Sequence, residues 1–201
     1  YQAELYDVFH LNWQSRIGHM ICTPLVVLGA LVALDAAPFS IAGALFEGVP
    51  VGGVVLAAGL SAYFFGLDAF VGLTTTPVVA ALLAASVALS RALGEHTLVV
   101  GIALMVVGAV FQAGSHLFED VPPPWGAPRT WRPLREVLRE ATLSKLAGLC
   151  GLTLVSFALE WWASFRILGL QVNFLAMRAG LRPDLAKLLE RRRSEILAGE
   201  D

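Results

Sequence analysis

The sequence predicts an all-α fold: a polytopic helical membrane protein with four to six membrane-embedded helices and an amphipathic C-terminal helix. Three observations predict it. Hydrophobic residues make up 57 % of the 201 residues and charged residues 15 %, against roughly 45–50 % and 25 % in soluble domains, and mean hydropathy is +0.70. From Ile17 to Phe118 only Asp35, Glu47, Asp68, Arg91 and Glu95 carry charge, whereas 12 of the 14 Lys and Arg residues follow Pro128. The apolar runs are continuous rather than alternating, and only helices or closed barrels satisfy their backbone in lipid. A disordered chain is excluded and a soluble one disfavoured.

A bilayer core of about 30 Å takes around 20 apolar residues in a helix. The first span runs from about Gly18 to Leu34. Its regular helix is expected to begin just after Thr23-Pro24, because proline suits a first turn and restrains the residue before it. Ala36 to Phe46, interrupted by Pro38 and Gly43, reads as a connecting or interfacial piece. Uncharged runs then cover Gly48 to Leu67, Ala69 to Ser90 and Thr97 to Phe118. Gly52-Gly53, Gly59 and Gly66, among many alanines, read as close helix packing. The proline-rich stretch from Asp120 to Arg132 is expected to be non-helical. A helix restarts at Pro133, and Ala147 to Leu159 carries it into the membrane. Trp161, Trp162 and Arg166 suit an interfacial belt. Arg182 to Leu197 reads as an amphipathic surface helix with Arg191, Arg192 and Arg193 available to anionic lipid. Residues 1–170 are thus expected to form a helical membrane domain with an interfacial histidine cluster, and 171–201 a charged amphipathic tail.

Helix parity assigns the chemistry to one side. The N-terminal segment, the turn near Asp68 and the chain after His116 share the side where the first span begins. The turn with Arg91, Glu95 and His96 lies on the other. If Ala141 to Phe165 crosses once, the tail ends opposite the N-terminal segment. If it dips or lies flat, the tail returns, and 13 of the 14 Lys and Arg residues share one side, which the positive-inside tendency makes cytoplasmic.

Three of the four histidines, His10, His19 and His116, converge on one interface from distant parts of the chain. Ionisable groups at membrane depth are costly and mark function, and neutral imidazole suits iron, zinc, copper and nickel alike. His96 precedes His116 by 20 residues, about 30 Å along a continuous helix, and belongs to a surface turn. His10 and His19 fall on nearly opposite faces of an unbroken helix, so sharing a metal requires a bend, which Ser15 and Gly18 would allow. Gln112, four residues before His116, faces the same way and is placed to hydrogen-bond a ligand or orient an imidazole. Glu119 has three available roles: metal ligand, imidazole partner or loop cap. Asn12 and Asp68 share this side. Arg129, Arg132, Arg135 and Arg139 flank it, as interfacial anchors or as attractors of a lipid carboxylate. Cys22 and Cys150 sit in apolar stretches and read as small buried residues. No dinucleotide, phosphate-loop, zinc-protease or serine-hydrolase motif is present. The charge pattern gives nucleic-acid binding no support.

Two stretches carry a family resemblance. Tyr6-Asp-Val-Phe-His10-Leu-Asn12, followed by Ile17-Gly-His19 and Thr23-Pro24, resembles the opening of the Mpo1-like membrane proteins. Phe111-Gln112-Ala-Gly-Ser-His116-Leu-Phe118-Glu119, followed by Pro122, resembles that family's second signature. The motifs span about residues 6–123. Ser15 stands where the family often has asparagine, and Ser115 where it usually has glycine; the C-terminal part lies beyond the resemblance.

The resemblance implies an Fe(2+)-dependent dioxygenase of 2-hydroxy fatty acids that cleaves C1–C2 and shortens the acyl chain by one carbon in α-oxidation. It implies His10, His19 and His116 as iron ligands; Gln112, Glu119 and Asn12, placed on the same side, are the catalytic candidates. Dioxygen, a 2-hydroxy fatty acid and membrane lipid are the expected partners. The expected location is multi-pass in a bacterial inner membrane or endoplasmic reticulum. The alternatives are another metal-dependent lipid enzyme such as a hydrolase, or a transporter or structural membrane protein.

Overall fold

A computed structural model describes residues 13–36, 51–115 and 164–198, and the described chain is all-α. The helices are α1 (Trp13–Ala36), α2 (Val51–Leu67), α3 (Ala69–Leu93), α4 (Thr97–Ser115), α5 (helical residues 164–178) and α6 (Pro183–Ala198). A single 3-10 turn, Gly94–His96, separates α3 from α4. Among the described residues, two apolar stretches are long enough to cross a membrane: Trp13–Ala36, and Ala69–Gln112, which includes that turn. The outer faces are themselves apolar. Val55, Val99 and Phe111 are each about two-thirds exposed (65 %, 68 % and 66 %), the reverse of a water-facing surface.

The helix α1 lies at the centre. Val26, Val27, Leu31 and Val32 are fully buried. Val27 and Leu31 join Ala57, Leu60 and Phe64 of α2, Val79 of α3 and Leu168 of α5 in one core. The approach of α4 to α1 is set by glycine. A Cβ on Gly29 would lie 2.7 Å from the Gly101 carbonyl oxygen, and one on Gly101 would lie 2.6 Å from the Ala33 nitrogen. Gly108 meets Val26 and Cys22, and Gly18 meets Ser115. The contacts run in opposite chain order, so α1 and α4 are antiparallel. Without a Cβ the backbones pack directly, as small residues permit between membrane helices.

Against α3, α1 runs parallel. Leu31 shares a core with Val79, and farther along Ser90 Oγ donates to Asp35 Oδ2 at 3.3 Å. Asp68 starts α3: its Oδ1 accepts the Phe70 and Val71 amides at 2.8 and 3.1 Å, satisfying two donors a helix start leaves open. Gly94, at φ 54°, ends it.

Three expectations change. The helix α1 does not begin after Pro24 but runs unbroken through it from Trp13. Pro24 removes one backbone donor, and helices at membrane depth tolerate this where neighbouring groups re-satisfy the freed carbonyl. The helix is likewise continuous through Ser15 and Gly18, and Gly18 serves close packing on Ser115. Of the glycines expected to pack closely, Gly53 does, against Asp35 and Leu83, whereas Gly59 and Gly66 face open space.

The path of the tail is also decided at the level of the bundle. Arg182 Nη1 lies 3.6 Å from Asp68 Oδ1, and its guanidinium lies 5.2 Å from the centre of the Phe70 ring. The guanidinium carbons of Arg16 and Arg178 lie 5.0 and 5.3 Å from the centre of the Phe174 ring. The end of α5 and the start of α6 thus return to the end of the bundle where α1 begins. The expected amphipathic helix is α6, Pro183–Ala198. The domain boundary drawn after residue 170 falls inside α5.

Candidate functional site

A band of buried polar side chains fills the α1–α4–α5 contact near the start of α1. Ser15, His19 and Thr23, spaced by four residues on one face of α1, are each fully buried. Gln112 and Ser115 at the end of α4, and Ser164 and Gln171 on α5, are buried with them. Polar groups taken from water cost free energy unless they find partners, and Ser, Thr and Gln side chains between apolar helices find them across the helix contacts.

Their hydrogen bonds join three helices. Gln171 Nε2 donates to Thr23 Oγ1 at 2.9 Å. Thr23 Oγ1 donates to Gln112 Oε1 at 3.3 Å, and Ser164 Oγ donates to the same oxygen at 2.9 Å. Ser115 Oγ turns back to the Gln112 carbonyl oxygen at 2.7 Å. Gln112 is therefore the junction of the network. His19 lies one turn before Thr23 on the same helix face.

Of the expected site residues, His19 and Gln112 are described, and both are fully buried. The structure brings both helix faces to the same end of the bundle. His10, Asn12, His116 and Glu119 lie outside the described residues, as do Arg129, Arg132, Arg135 and Arg139. Among the described residues no three of His, Cys, Asp and Glu come together as a metal site; His19 is the one expected ligand they include. The His19 imidazole is a ligand type that suits iron, zinc, copper and nickel alike, and the hydroxyl and carboxamide groups described beside it bond to one another. His96 is exposed beside Glu95, in the turn at the opposite end. Asp68 caps a helix and pairs with Arg182. Cys22 is a buried free thiol.

Thr23, Ser164 and Gln171 were not singled out as site residues by spacing or motif. One signal was available: Gln171 and Asn173 interrupt an apolar run, Ile167 to Met177, and both are buried. Outside the apolar helices, hydrogen bonding from the Leu185 amide, with Arg182 nearby, holds the Asp184 carboxyl below its ordinary value. No family profile, curated protein or solved structure matches the chain.

Proposed function

We propose that the chain is a multi-pass membrane enzyme, an iron(II)-dependent dioxygenase that cleaves C1–C2 of 2-hydroxy fatty acids and shortens them by one carbon. The observation that carries the reading is the fully buried His19 within a polar band at one bundle end. There Gly18 packs on Ser115, the residue that immediately precedes His116. A buried imidazole at such a place is costly, and metal binding accounts for it.

The reaction balances without an outside reductant: R–CH(OH)–COOH and O2 give R–COOH, CO2 and water. Iron held by His19 with His10 and His116 would supply the one-electron step that dioxygen needs to react with a closed-shell acid. Gln112 would hydrogen-bond an oxygen of the bound substrate. Glu119 and Asn12 would hold or orient groups at the same end. The acyl tail would lie along the apolar helix faces, where each CH₂ kept from water contributes about 0.8 kcal/mol.

Elemental analysis of protein purified in detergent tests the metal, with His19→Ala and His116→Ala beside the wild type. Near-stoichiometric iron, lost in both variants, and oxygen uptake with 2-hydroxypalmitate are expected. No iron after anaerobic Fe(II) loading would sink the reading, and stoichiometric zinc would favour hydrolytic chemistry. For topology, Glu95→Cys and Lys187→Cys should label from opposite faces of sealed vesicles. Labelling from one face would overturn the multi-pass arrangement.

A further inference from the structure

We propose that α6 is a membrane-surface helix whose partner is the headgroup layer of an anionic bilayer, at the bundle end that carries the polar band. The inference rests on the multi-pass reading and not on the metal.

Charge sets this part of the chain apart. Residues 178–198 hold six basic and three acidic residues, a net charge of +3 in a chain whose net charge is −2. The basic residues are Arg178, Arg182, Lys187, Arg191, Arg192 and Arg193. Cations clustered beside membrane helices are attracted to anionic headgroups, and each one near such a surface raises the partition about fivefold. Neutral headgroups give no such gain.

The fold brings the cluster to the edge of the bilayer. At the start of α1, Trp13, Ile17 and Ile21 are exposed. Trp and Arg side chains settle where lipid meets water, and the Arg16 and Arg178 guanidinium groups both lie against Phe174 at this end. The helical residues of α5 stop here, at 178, and Gly180, at φ 79°, turns the chain. Arg182 then ties the start of α6 to the turn between α2 and α3, 3.6 Å from Asp68 Oδ1 and stacked on Phe70. The helix α6 thus leaves the bundle at headgroup depth.

The composition of α6 suits that depth. Leu185, Leu188, Leu189 and Ile196 recur at helical spacing, the period of an amphipathic stripe, and Leu188 is 50 % exposed. Lys187 and Arg191, one turn apart, are exposed, and Arg191 pairs with Glu195 at 3.0 Å. A helix that mixes basic residues with a leucine stripe, at low overall hydrophobicity, lies in the interface rather than across the bilayer.

Full-length protein reconstituted into vesicles tests the surface. In a Cys22→Ala, Cys150→Ala background, Leu188→Cys carries an environment-sensitive fluorophore. Its emission should shift to the blue in vesicles containing phosphatidylglycerol relative to pure phosphatidylcholine. Its quenching by acrylamide should fall about threefold. High salt should reverse both changes, because exposed charges are screened. Combining Lys187→Gln, Arg191→Gln, Arg192→Gln and Arg193→Gln should abolish the dependence on anionic lipid, whereas Glu190→Gln should strengthen it. Equal emission in the two lipids overturns the proposal. So does a blue shift in detergent that grows with protein concentration, which would seat α6 on a second copy of the chain. Protein that fails to enter vesicles overturns the multi-pass reading and this inference with it.

Discussion

The two halves of the α1–α4 contact are built on opposite principles. Toward the end of α1, Gly29, Gly101 and Ala33 bring backbone against backbone, with Gly108 seated on Val26. Toward the start of α1, the interface is occupied by Ser15, His19, Thr23, Gln112 and Ser115, all buried. The glycine half gains dispersion contacts between closely packed backbones. The polar half carries groups whose burial must be offset by hydrogen bonds. The same two helices therefore divide the labour: one half fixes their distance, and the other holds a polar network at that distance.

The largest effect should come from breaking the glycine half. In Gly101→Leu the new Cβ would stand 2.6 Å from the Ala33 nitrogen and 2.9 Å from the Gly29 carbonyl oxygen. Both are backbone atoms and cannot swing aside. Overpacking of this kind costs about 1–3 kcal/mol, and more where nothing yields, so the variant should melt far below wild type in detergent or fail to fold. Gly59→Leu is the matched control, because a Cβ there meets nothing within 4 Å. Equal melting temperatures for the two would end the distinction between the halves.

The boundary between the halves permits a finer test. A Cβ on Gly18 would meet Ser115 Cβ at 2.7 Å. Gly18→Ala should therefore destabilise by about 1–2 kcal/mol, within the ordinary range for overpacking. Adding Ser115→Gly removes the opposing atom and should recover most of the loss. Failure of the second change to compensate would mean that the contact is not what sets the helix distance there.

How far these features can be read in the sequence depends on which are local. Helix class, the Asp68 turn, the Gly94–His96 reversal and the amphipathic α6 follow from charge gaps and short-range spacing, and each is found where expected. The antiparallel pairing of α1 and α4 follows from parity once the spans are counted. Pro24 misled because a local helix-start rule was applied to a proline that the packed helix runs through. Gly59 and Gly66 misled because a glycine's partner is a property of the other helix: nothing in the local sequence separates Gly53, which is packed, from Gly59, which is not. That His19 and Gln112 lie at the same end of the bundle is legible from helix parity, and both are buried there. The links from Gln112 to Ser164 and from Thr23 to Gln171 join residues 52 and 148 positions apart, and spacing rules that work over one or two turns do not reach them.

Charge at the polar end should contribute less than packing. Asp68 has two tasks, capping α3 and pairing with Arg182, and a double-mutant cycle separates them. Asp68→Ala loses both and should cost about 1 kcal/mol, mostly from the cap. Arg182→Ala loses the half-exposed ion pair and the stacking on Phe70, about 0.5 kcal/mol. Melting temperatures in detergent give the coupling. A coupling as large as the whole Asp68→Ala effect would shift the emphasis from the cap to the ion pair, and would make the polar end sensitive to salt.

The smallest effect concerns Asp184 in the first turn of α6. Its carboxyl is held below the ordinary value, first by the Leu185 amide and then, against some desolvation, by the charge of Arg182. A carboxyl with a lowered folded-state value binds its proton less readily folded than unfolded. Its contribution is present above the unfolded value, about 3.9, and disappears as pH falls through the lower folded one. The group is exposed, so the increment is small and screened by salt. In Asp184→Asn, melting at neutral pH should fall slightly, and the gap from wild type should close on acidification through that window. A gap that persists below it would assign the effect to helix propensity, leaving charge at the start of α6 without a part in seating the tail beside the polar half.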